Sequence, residues 1–208
     1  MKKNILVLCP HPDDAEFACG GTIARLLAEG HEVSYAVFSP CTQSVPKNLS
    51  PDILYIELAQ AAAVLGVDKK HIHTWDFPVR EFPSRRQEIL EILIELKKKI
   101  QPSIVFCPAS TDIHQDHQTL YHEALRAFKT CCLLGYELPW NNMVSKSNYF
   151  FRLSKEHIQK KTDAIKKYSS QNFRHYADEE VFVNLAKLRG LQSHCEYAEA
   201  FELIRWFE

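Results

Sequence analysis

Two short apolar runs with a helical segment between them constrain the fold of this chain more than any other feature. Residues 5–9 are all apolar and are followed by Pro10, a pattern that indicates a strand buried on both faces of a sheet. The helical segment 20–29 ends at Gly30, and residues 32–39 form a second predicted strand. A strand, a helix and a strand of these lengths imply a right-handed crossover between parallel strands.

The same alternation continues along the chain and predicts an α/β fold with a mainly parallel sheet. No internal repeat, low-complexity tract or domain boundary interrupts it, so we predict a single domain over residues 1–208. Further strands are predicted at 71–75, 103–107, 130–138 and 147–153. Further helices are predicted at 50–65, at 84–100, from Ser154 through 167, and at 178–190. Another helix follows the cluster 111–117 and ends at about residue 128. The helix at 84–100 is predicted to start with a capping box at 84–87.

Composition narrows the class of protein and its compartment. The net charge is −1, with 46% apolar and 25% charged residues, so nothing draws the whole chain towards nucleic acid or a membrane surface. No apolar run is long enough to cross a bilayer. The seven cysteines are odd in number and include no Cys-x-x-Cys pair, which argues against a disulfide framework and a thiolate zinc site. We therefore predict a cytoplasmic protein whose cysteines pack as small buried hydrophobes.

A cluster of polar side chains follows the first predicted strand. His11, Asp13 and Asp14 stand where an open parallel sheet binds its ligands, at the carboxyl end of a strand. Pro10 and Pro12 restrict this loop and favour an extended backbone, in which neighbouring side chains point to opposite sides. One aspartate then binds a metal together with His11 while the other faces a bound water. The competing interpretation is a helix cap in a solvated turn.

A second cluster follows the strand 103–107 and is expected at the same edge of the sheet. It contains Asp112, His114, Asp116 and His117. The two histidines are three residues apart, so the first turn of a helix places them on one side. Imidazole nitrogens and carboxylate oxygens without a thiolate suit a catalytic zinc with three protein ligands and one open position. Asp116 either orients a histidine or caps the helix.

The two clusters together resemble the two motifs of the PIG-L/LmbE-like metal-dependent deacetylases. Residues 11–14, with Glu16 and the helix start at 20–22, match the first motif. Residues 112–117 match the second motif, with Gln115 where many members carry proline. Later parts of the chain also resemble the family, at 167–171 and 196–201.

The resemblance implies a Rossmann-like, three-layer α/β/α fold that binds a catalytic divalent metal, usually zinc, with Fe2+ as an alternative. Members of the family remove the N-acetyl group from compounds that contain N-acetylglucosamine, and some cleave other N-acyl amides. The matched motifs assign His11, Asp14 and His117 as metal ligands and Asp13 as the general base. His114 matches the residue that stabilises the oxyanion or protonates the leaving amine. In either role we expect it to work as an imidazolium, sustained by a nearby carboxylate such as Asp116.

Two further residues complete the predicted site. Asp116 is grouped with the catalytic residues Asp13 and His114 because it lies between the two histidines of the second motif. Arg80 lies on a predicted loop after the third strand. Its planar fork of donors suits a sugar hydroxyl or a phosphate, so we predict that it binds the substrate.

The resemblance thus implies a zinc-dependent N-deacetylase that acts on a small amino sugar or glycoconjugate. Amide hydrolysis needs an activated water, a carboxylate to take its proton and a donor to the oxyanion, and the predicted site offers all three. One alternative is an N-acyl amidase acting on a lipid-linked or peptide-derived amide. Another is a sugar-binding protein with a degenerate site. The aglycone and the oligomeric state stay open.

Overall fold

A seven-stranded sheet runs through the part of the molecule that the computed structural model describes, residues 2–172, 174 and 178–208. The strand order is β3-β2-β1-β4-β5-β7-β6, and the first five strands in this order are parallel. Strand β7 is antiparallel to both of its neighbours. The strands are β1 (Asn4–Cys9), β2 (Glu32–Val37), β3 (Ile72–Thr74), β4 (Ile104–Pro108), β5 (Cys132–Tyr136), β6 (Tyr149–Leu153) and β7 (Tyr197–Arg205).

Helices cover both faces of the sheet and bury one apolar core on each. In β1, Ile5 and Val7 belong to one core while Leu6 and Leu8 belong to the other, so the strand is buried on both faces as predicted. Helices α1, α2, α5 and α6 pack on the first face, and α3 packs with α4 on the second. The predicted three-layer α/β/α fold is confirmed. The helices are α1 (Asp14–Ala28), α2 (Ile53–Leu65), α3 (Arg86–Ile100), α4 (Gln115–Ala127), α5 (Lys155–Ile165) and α6 (Glu179–Gln192).

Two predicted helix starts differ from the structure. Helix α1 begins at Asp14 rather than near residue 20, and Asp13 has helical backbone angles (φ −92°, ψ −8°) instead of an extended conformation. Proline restricts the residue before it, not the one after it, so Asp13 is free to start the helix after Pro12. The capping box at 84–87 is wrong. The hydroxyl of Ser84 donates to the carbonyl of Glu81 (2.8 Å) in a 3-10 turn, and α3 starts only at Arg86.

Helix α1 is broken at Cys19, where the backbone leaves the helical region (φ −135°, ψ 22°). The N–H groups of Gly21 and Thr22 donate to the carboxylate of Glu199 on β7 instead (3.0 and 2.6 Å). Lys161 on α5 forms a buried ion pair with the same carboxylate (2.6 Å). A Cβ at residue 21 would lie 2.6 Å from Cδ1 of Leu153 and 3.2 Å from that carboxylate, so glycine allows the close approach of both.

The order of the strands fixes where a site can form. Strands β1 and β4 are neighbours, and the chain winds outward from them in opposite directions. In open α/β sheets, ligands bind at such a reversal, beyond the carboxyl ends of the two strands. The segments that follow β1 and β4 carry the first and second clusters. Among the described residues, no helix is long and apolar enough to cross a membrane.

Candidate active site

A cavity of about 430 Å³ opens beyond the carboxyl ends of β1 and β4. Six of the seven predicted site residues line it, which brings together two motifs that lie about a hundred residues apart in the chain. Asp116 is the exception, since it is fully buried behind the wall. The six lining residues are His11, Asp13, Asp14, Arg80, His114 and His117.

The three predicted metal ligands face one another across short distances. Nδ1 of His11 lies 3.1 Å from Nε2 of His117. Oδ2 of Asp14 lies 3.6 Å from Nδ1 of His11 and 3.5 Å from Nε2 of His117. Donors around a tetrahedral zinc with bonds of about 2.0–2.1 Å are separated by roughly 3.3 Å. The donor set and its spacing therefore fit a divalent metal such as zinc.

His114 offers an alternative third ligand. One ligand atom from each of His11, His114 and His117 lies within 4.8 Å of the others. The set that includes Asp14 is tighter, with no separation above 3.6 Å. In addition, Nδ1 of His114 already accepts the backbone N–H of Asp116 (3.2 Å). The geometry therefore favours Asp14 over His114 as the third ligand.

Each candidate histidine ligand has a buried carboxylate on its far side. Oδ2 of Asp116 lies 3.2 Å from Nε2 of His11, and Oδ2 of Asp112 lies 2.9 Å from Nδ1 of His117. The contact between Asp112 and His117 is short but lacks the alignment of a hydrogen bond, so it is an electrostatic contact. Carboxylates in this position fix the ring orientation and make the ligand nitrogen more basic. Asp112 was not predicted to have a role, although it lies in the second motif.

Asp116 supports the site from behind the cavity wall. Its carboxylate accepts the backbone N–H groups of Arg80 (2.6 Å) and Phe82 (3.3 Å) in addition to its contact with His11. Burial opposes ionisation, but the hydrogen bonds from His11 and the Arg80 N–H hold the pKa of Asp116 below its usual value. These contacts suit the predicted orienting interpretation of Asp116, whereas the helix cap, its alternative, is His114. The backbone at Arg80 is left-handed (φ 71°), which aims its N–H at this carboxylate.

Asp14 of the first motif is buried, whereas Asp13 is half-buried. Burial raises the pKa of Asp13, although the charge of His11 opposes this. Burial raises the pKa of Asp14 to about 8, with His11 opposing and Asp13 adding to the shift. A cation bound beside these two carboxyl groups would lower both pKa values again, because the cation favours their charged forms.

His114 differs from the imidazolium that the sequence led us to expect. It is the N-cap of α4, and because Nδ1 accepts the N–H of Asp116, the proton of the neutral ring is on Nε2. Burial, followed by the charges of His11 and His117, lowers the pKa of His114 to about 4. Its ring centroid is 4.9 Å from those of both other histidines. His114 is thus a neutral hydrogen-bond donor near pH 7.

Several residues of the cavity wall were not predicted. Asn141 follows the segment 135–140, which the sequence predicts at the rim and whose Trp140 lines the cavity, while Gln171 and Arg174 come from the segment after α5. The hydroxyl of Tyr168 in that later segment contacts the carbonyl of Pro12 (2.7 Å). The only signal in the sequence that this segment reaches the cavity was the similarity of residues 167–171 to the family.

The chain is similar in sequence to known deacetylases. The sequence profile of the family described as "PIG-L: GlcNAc-PI de-N-acetylase" matches residues 6–128. The chain is 32% identical over 127 residues to the diacetylchitobiose deacetylase of Thermococcus kodakarensis, and this alignment covers 56% of this chain and 45% of that protein. It is 30% identical over 142 residues to the probable N-acetyl-alpha-D-glucosaminyl L-malate deacetylase 2 of Bacillus cereus, and this alignment covers 61% of each of the two proteins. The alignments thus span less than two thirds of either relative.

The fold is also found in an enzyme with a different reaction. GalB, the 4-carboxy-2-hydroxymuconate hydratase from Pseudomonas putida, superposes with a TM-score of 0.80 and 21% identity over 100% of this chain and 99% of that one. This likeness concerns the fold alone, so the reaction has to be argued from the residues of the site. The matching profile spans more than half of the chain and contains both clusters. The chain therefore belongs to the PIG-L family, described as GlcNAc-PI de-N-acetylases.

Proposed function

We propose that this protein is a zinc-dependent hydrolase that removes the N-acetyl group from an N-acetylglucosamine-type sugar or glycoconjugate. The observation that carries the proposal is the tight triangle of donors from His11, Asp14 and His117 in the same cavity as Asp13 and His114. The two relatives are named for deacetylating diacetylchitobiose and N-acetyl-alpha-D-glucosaminyl L-malate, which supports the choice of substrate.

The residues of the cavity divide the chemistry between them. Zinc held by His11, Asp14 and His117 would supply a Lewis acid for the amide carbonyl and a more acidic bound water. Asp13, which lines the cavity beside the three donors, takes the proton of the attacking water at its carboxylate. The Nε2–H of His114 donates to the substrate oxygen as negative charge develops there. Asp13 then returns the proton to the leaving amine.

A second candidate, an N-acyl amidase that acts on a lipid-linked amide, is favoured by the rim of the cavity. Ile113 is 59% exposed, and Met143 and Val144, which follow the lining residue Asn141 by two and three positions, are 79% and 63% exposed. The N–H of Ile113 donates to the carbonyl of Asn141, which lines the cavity (3.1 Å). Apolar side chains exposed beside a site suit an apolar part of a substrate.

The test is a substrate panel scored for acetate release and free-amine formation, with and without a chelator. The panel contains N-acetylglucosamine, diacetylchitobiose, N-acetylglucosamine 1-phosphate and a long-chain N-acyl amide. We expect acetate from at least one sugar, and no release after chelation. Turnover of the long-chain amide alone would favour the amidase, whereas a zinc-loaded protein that cleaves nothing would contradict both.

The compartment is a further proposal. Six of the seven cysteines are buried, and all seven are free thiols. Buried free thiols are typical of proteins that work in reducing surroundings, which supports the predicted cytoplasmic location. Fractionation with a cytoplasmic marker tests it.

Replacing His114 with asparagine is expected to lower kcat and kcat/KM together, by about 100-fold, with KM little changed. Asparagine retains an acceptor for the N–H of Asp116, and so the cap of α4, but it loses the Nε2–H donor. Because His114 is neutral above about pH 4, the shape of the pH–rate profile near neutrality should not change.

The control for this variant is His122→Ala, which changes an exposed histidine on the same helix. Metal content and pH–rate profiles are measured for His114→Asn, His122→Ala and His117→Ala. Metal loss in His114→Asn with metal retained in His117→Ala would reverse the assignment of the two histidines.

Removing the side chain of Arg80 is expected to raise KM by about 10-fold, the scale of one charge-assisted hydrogen bond, without changing metal content. Arg80→Gly keeps the N–H that donates to Asp116 and suits the left-handed backbone, so it should be about 1 kcal/mol more stable than Arg80→Ala. Arg85→Ala is the control, because Arg85 pairs with Glu88 outside the cavity. Unaltered KM in both Arg80 variants would remove Arg80 from the substrate site.

A further inference from the structure

The backbone on the two sides of Asp13 is held by different means. On the C-terminal side, the carbonyl of Asp13 accepts the N–H of Phe17 (3.1 Å) in the first turn of α1. On the N-terminal side lies Pro12, which has no N–H, so its carbonyl is the one backbone group of that residue that a hydrogen bond can hold. Because the peptide unit is planar, the direction of this carbonyl sets the position of the nitrogen and Cα of Asp13.

The hydroxyl of Tyr168 holds the carbonyl of Pro12 from a distant part of the chain. Tyr168 is buried, and its hydroxyl donates to the carbonyl oxygen of Pro12 (2.7 Å). Oε2 of the buried Glu16 lies 2.9 Å from the same hydroxyl and limits its position from a second side. Burial raises the pKa of the Tyr168 phenol well above its usual value, so the hydrogen that it donates is present at neutral pH.

The segment that carries Tyr168 is anchored independently of α1. The N–H of Tyr168 donates to the carbonyl of Ile165 at the end of α5 (3.0 Å). The buried carboxylate of Glu57 on α2 accepts the N–H of Ser170 (2.8 Å), the hydroxyl of Ser170 (2.5 Å) and the hydroxyl of Ser169 (2.9 Å). Tyr168 therefore approaches the first motif from a fixed base, and its hydroxyl is a rigid support for the loop.

The metal ligand next to Asp13 is held by another contact. The backbone N–H of His11 donates to Oδ2 of Asp14 (2.8 Å), and Asp14 also belongs to the first turn of α1. The hydroxyl of Tyr168 takes no part in this hydrogen bond. Loss of the hydroxyl should therefore disturb Asp13 and leave the metal ligand in place.

We infer that Tyr168 is a positioning residue for the general base, because its hydroxyl fixes the peptide between Pro12 and Asp13 and so aims the carboxylate of Asp13 into the cavity. The inference rests on the proposed function, since it takes Asp13 as the base of the hydrolysis. Tyr168 is not among the residues that line the cavity, so it acts through Asp13 and not on the substrate. Misplacing a reacting group by about 1 Å costs about 100-fold in rate, so the support of a single peptide matters.

A double-mutant cycle tests this role. Tyr168→Phe should lower kcat by at least about 10-fold, with KM and the affinity for zinc within about 2-fold of wild type. In the Asp13→Asn background the same change should lower kcat no further, because the group that Tyr168 positions is already lost. An equal fall of kcat in both backgrounds would overturn the inference. So would a loss of zinc affinity in Tyr168→Phe that accounts for the fall, because Tyr168 would then act on the metal ligands.

Tyr55→Phe is the matched control. The hydroxyl of Tyr55 on α2 also donates to a backbone carbonyl, that of Trp75 (2.5 Å), and Tyr55 does not line the cavity. This variant loses the same kind of hydrogen bond and should keep the kcat of wild type. Urea unfolding of both variants confirms that they are folded under assay conditions. An equal fall of kcat in the two variants would overturn the inference, because the loss would then not depend on Asp13.

Hydrogen exchange separates this inference from the proposed function, because it needs no substrate. The N–H groups of Asp14 and Phe17 donate to the carbonyls of His11 and Asp13 (3.5 and 3.1 Å), so they report on the loop that Tyr168 supports. In the zinc-loaded protein, Tyr168→Phe should speed the exchange of these two amides by about 5-fold, the scale of one hydrogen bond, whereas Tyr55→Phe should not. Faster exchange supports the inference even if no substrate of the panel releases acetate. Unchanged exchange at both amides overturns it, whatever the activity.

Discussion

Replacing Asp13 with asparagine is expected to leave the metal in place and to lower kcat by about 10²–10⁴-fold, the contribution of a positioned general base. Asp13 lines the cavity but is not one of the three donors that face one another. Its side chain makes no capping hydrogen bond to α1, so asparagine should not disturb the helix. The amide of asparagine has the size of the carboxylate but cannot accept a proton from water.

The pH–rate profile gives a second readout for Asp13. A general base works in its deprotonated form, so activity rises with pH through its pKa. Burial raises the pKa of Asp13 and a bound cation lowers it; whatever its midpoint, this acidic limb should vanish in Asp13→Asn.

The matched controls for Asp13→Asn are His11→Ala, Asp14→Ala and His117→Ala. Each should lose metal as well as turnover, because each removes one donor of the proposed zinc site. Elemental analysis after gel filtration separates the two kinds of variant. Wild-type kcat in Asp13→Asn would rule out the base assignment, and full metal in all three alanine variants would rule out the ligand assignment.

The parts of the site that could be predicted from sequence lie in contiguous motifs. His11 and Asp14 follow one buried strand, and His114 and His117 follow another. Because both strands are short, apolar and closed by proline, their carboxyl ends could be placed at one edge of a parallel sheet. The convergence of the two clusters is therefore a consequence of local pattern and topology.

The contacts that position these residues could not be predicted because they join segments far apart in the chain. Asp116 holds His11 only because the loop that carries Arg80 folds over it with a left-handed backbone. Glu57 looks like an ordinary helical glutamate until the segment with Ser170 packs against α2. Neither pairing leaves a periodicity or a spacing in the sequence, so single-sequence reasoning has nothing to detect.

The charge state of His114 could not be predicted from the sequence for a different reason. The sequence supplies an aspartate two residues later, which suggested an imidazolium, but Nδ1 of His114 accepts the backbone N–H of Asp116 and lies 4.0 Å from its carboxylate. Burial and two neighbouring histidines then outweigh that carboxylate. Protonation depends on where every nearby group lies in space.

Replacing Glu199 with alanine is expected to lower the free energy of unfolding by about 3–5 kcal/mol, the penalty for leaving a buried charge without its partner. Glu199 is the only described carboxylate within ion-pairing distance of Lys161, whose ammonium also lies 3.5 Å from the carbonyl of Ala18 at the break in α1. The variant would also leave the N–H groups of Gly21 and Thr22 without their acceptor. Urea unfolding followed by circular dichroism measures the loss.

Two comparisons decide whether the buried charge is the cause. Glu196→Ala removes an exposed glutamate just before the same strand, and should change stability by no more than about 0.5 kcal/mol. Adding Lys161→Met to Glu199→Gln removes both charges and keeps an amide acceptor for the broken helix, so this double variant should be more stable than Glu199→Ala. A loss in Glu199→Ala no greater than in Glu196→Ala would show that the break in α1 does not depend on the ion pair. Because α1 carries Asp14 in its first turn, added zinc should recover part of the lost stability if the metal binds only the folded chain.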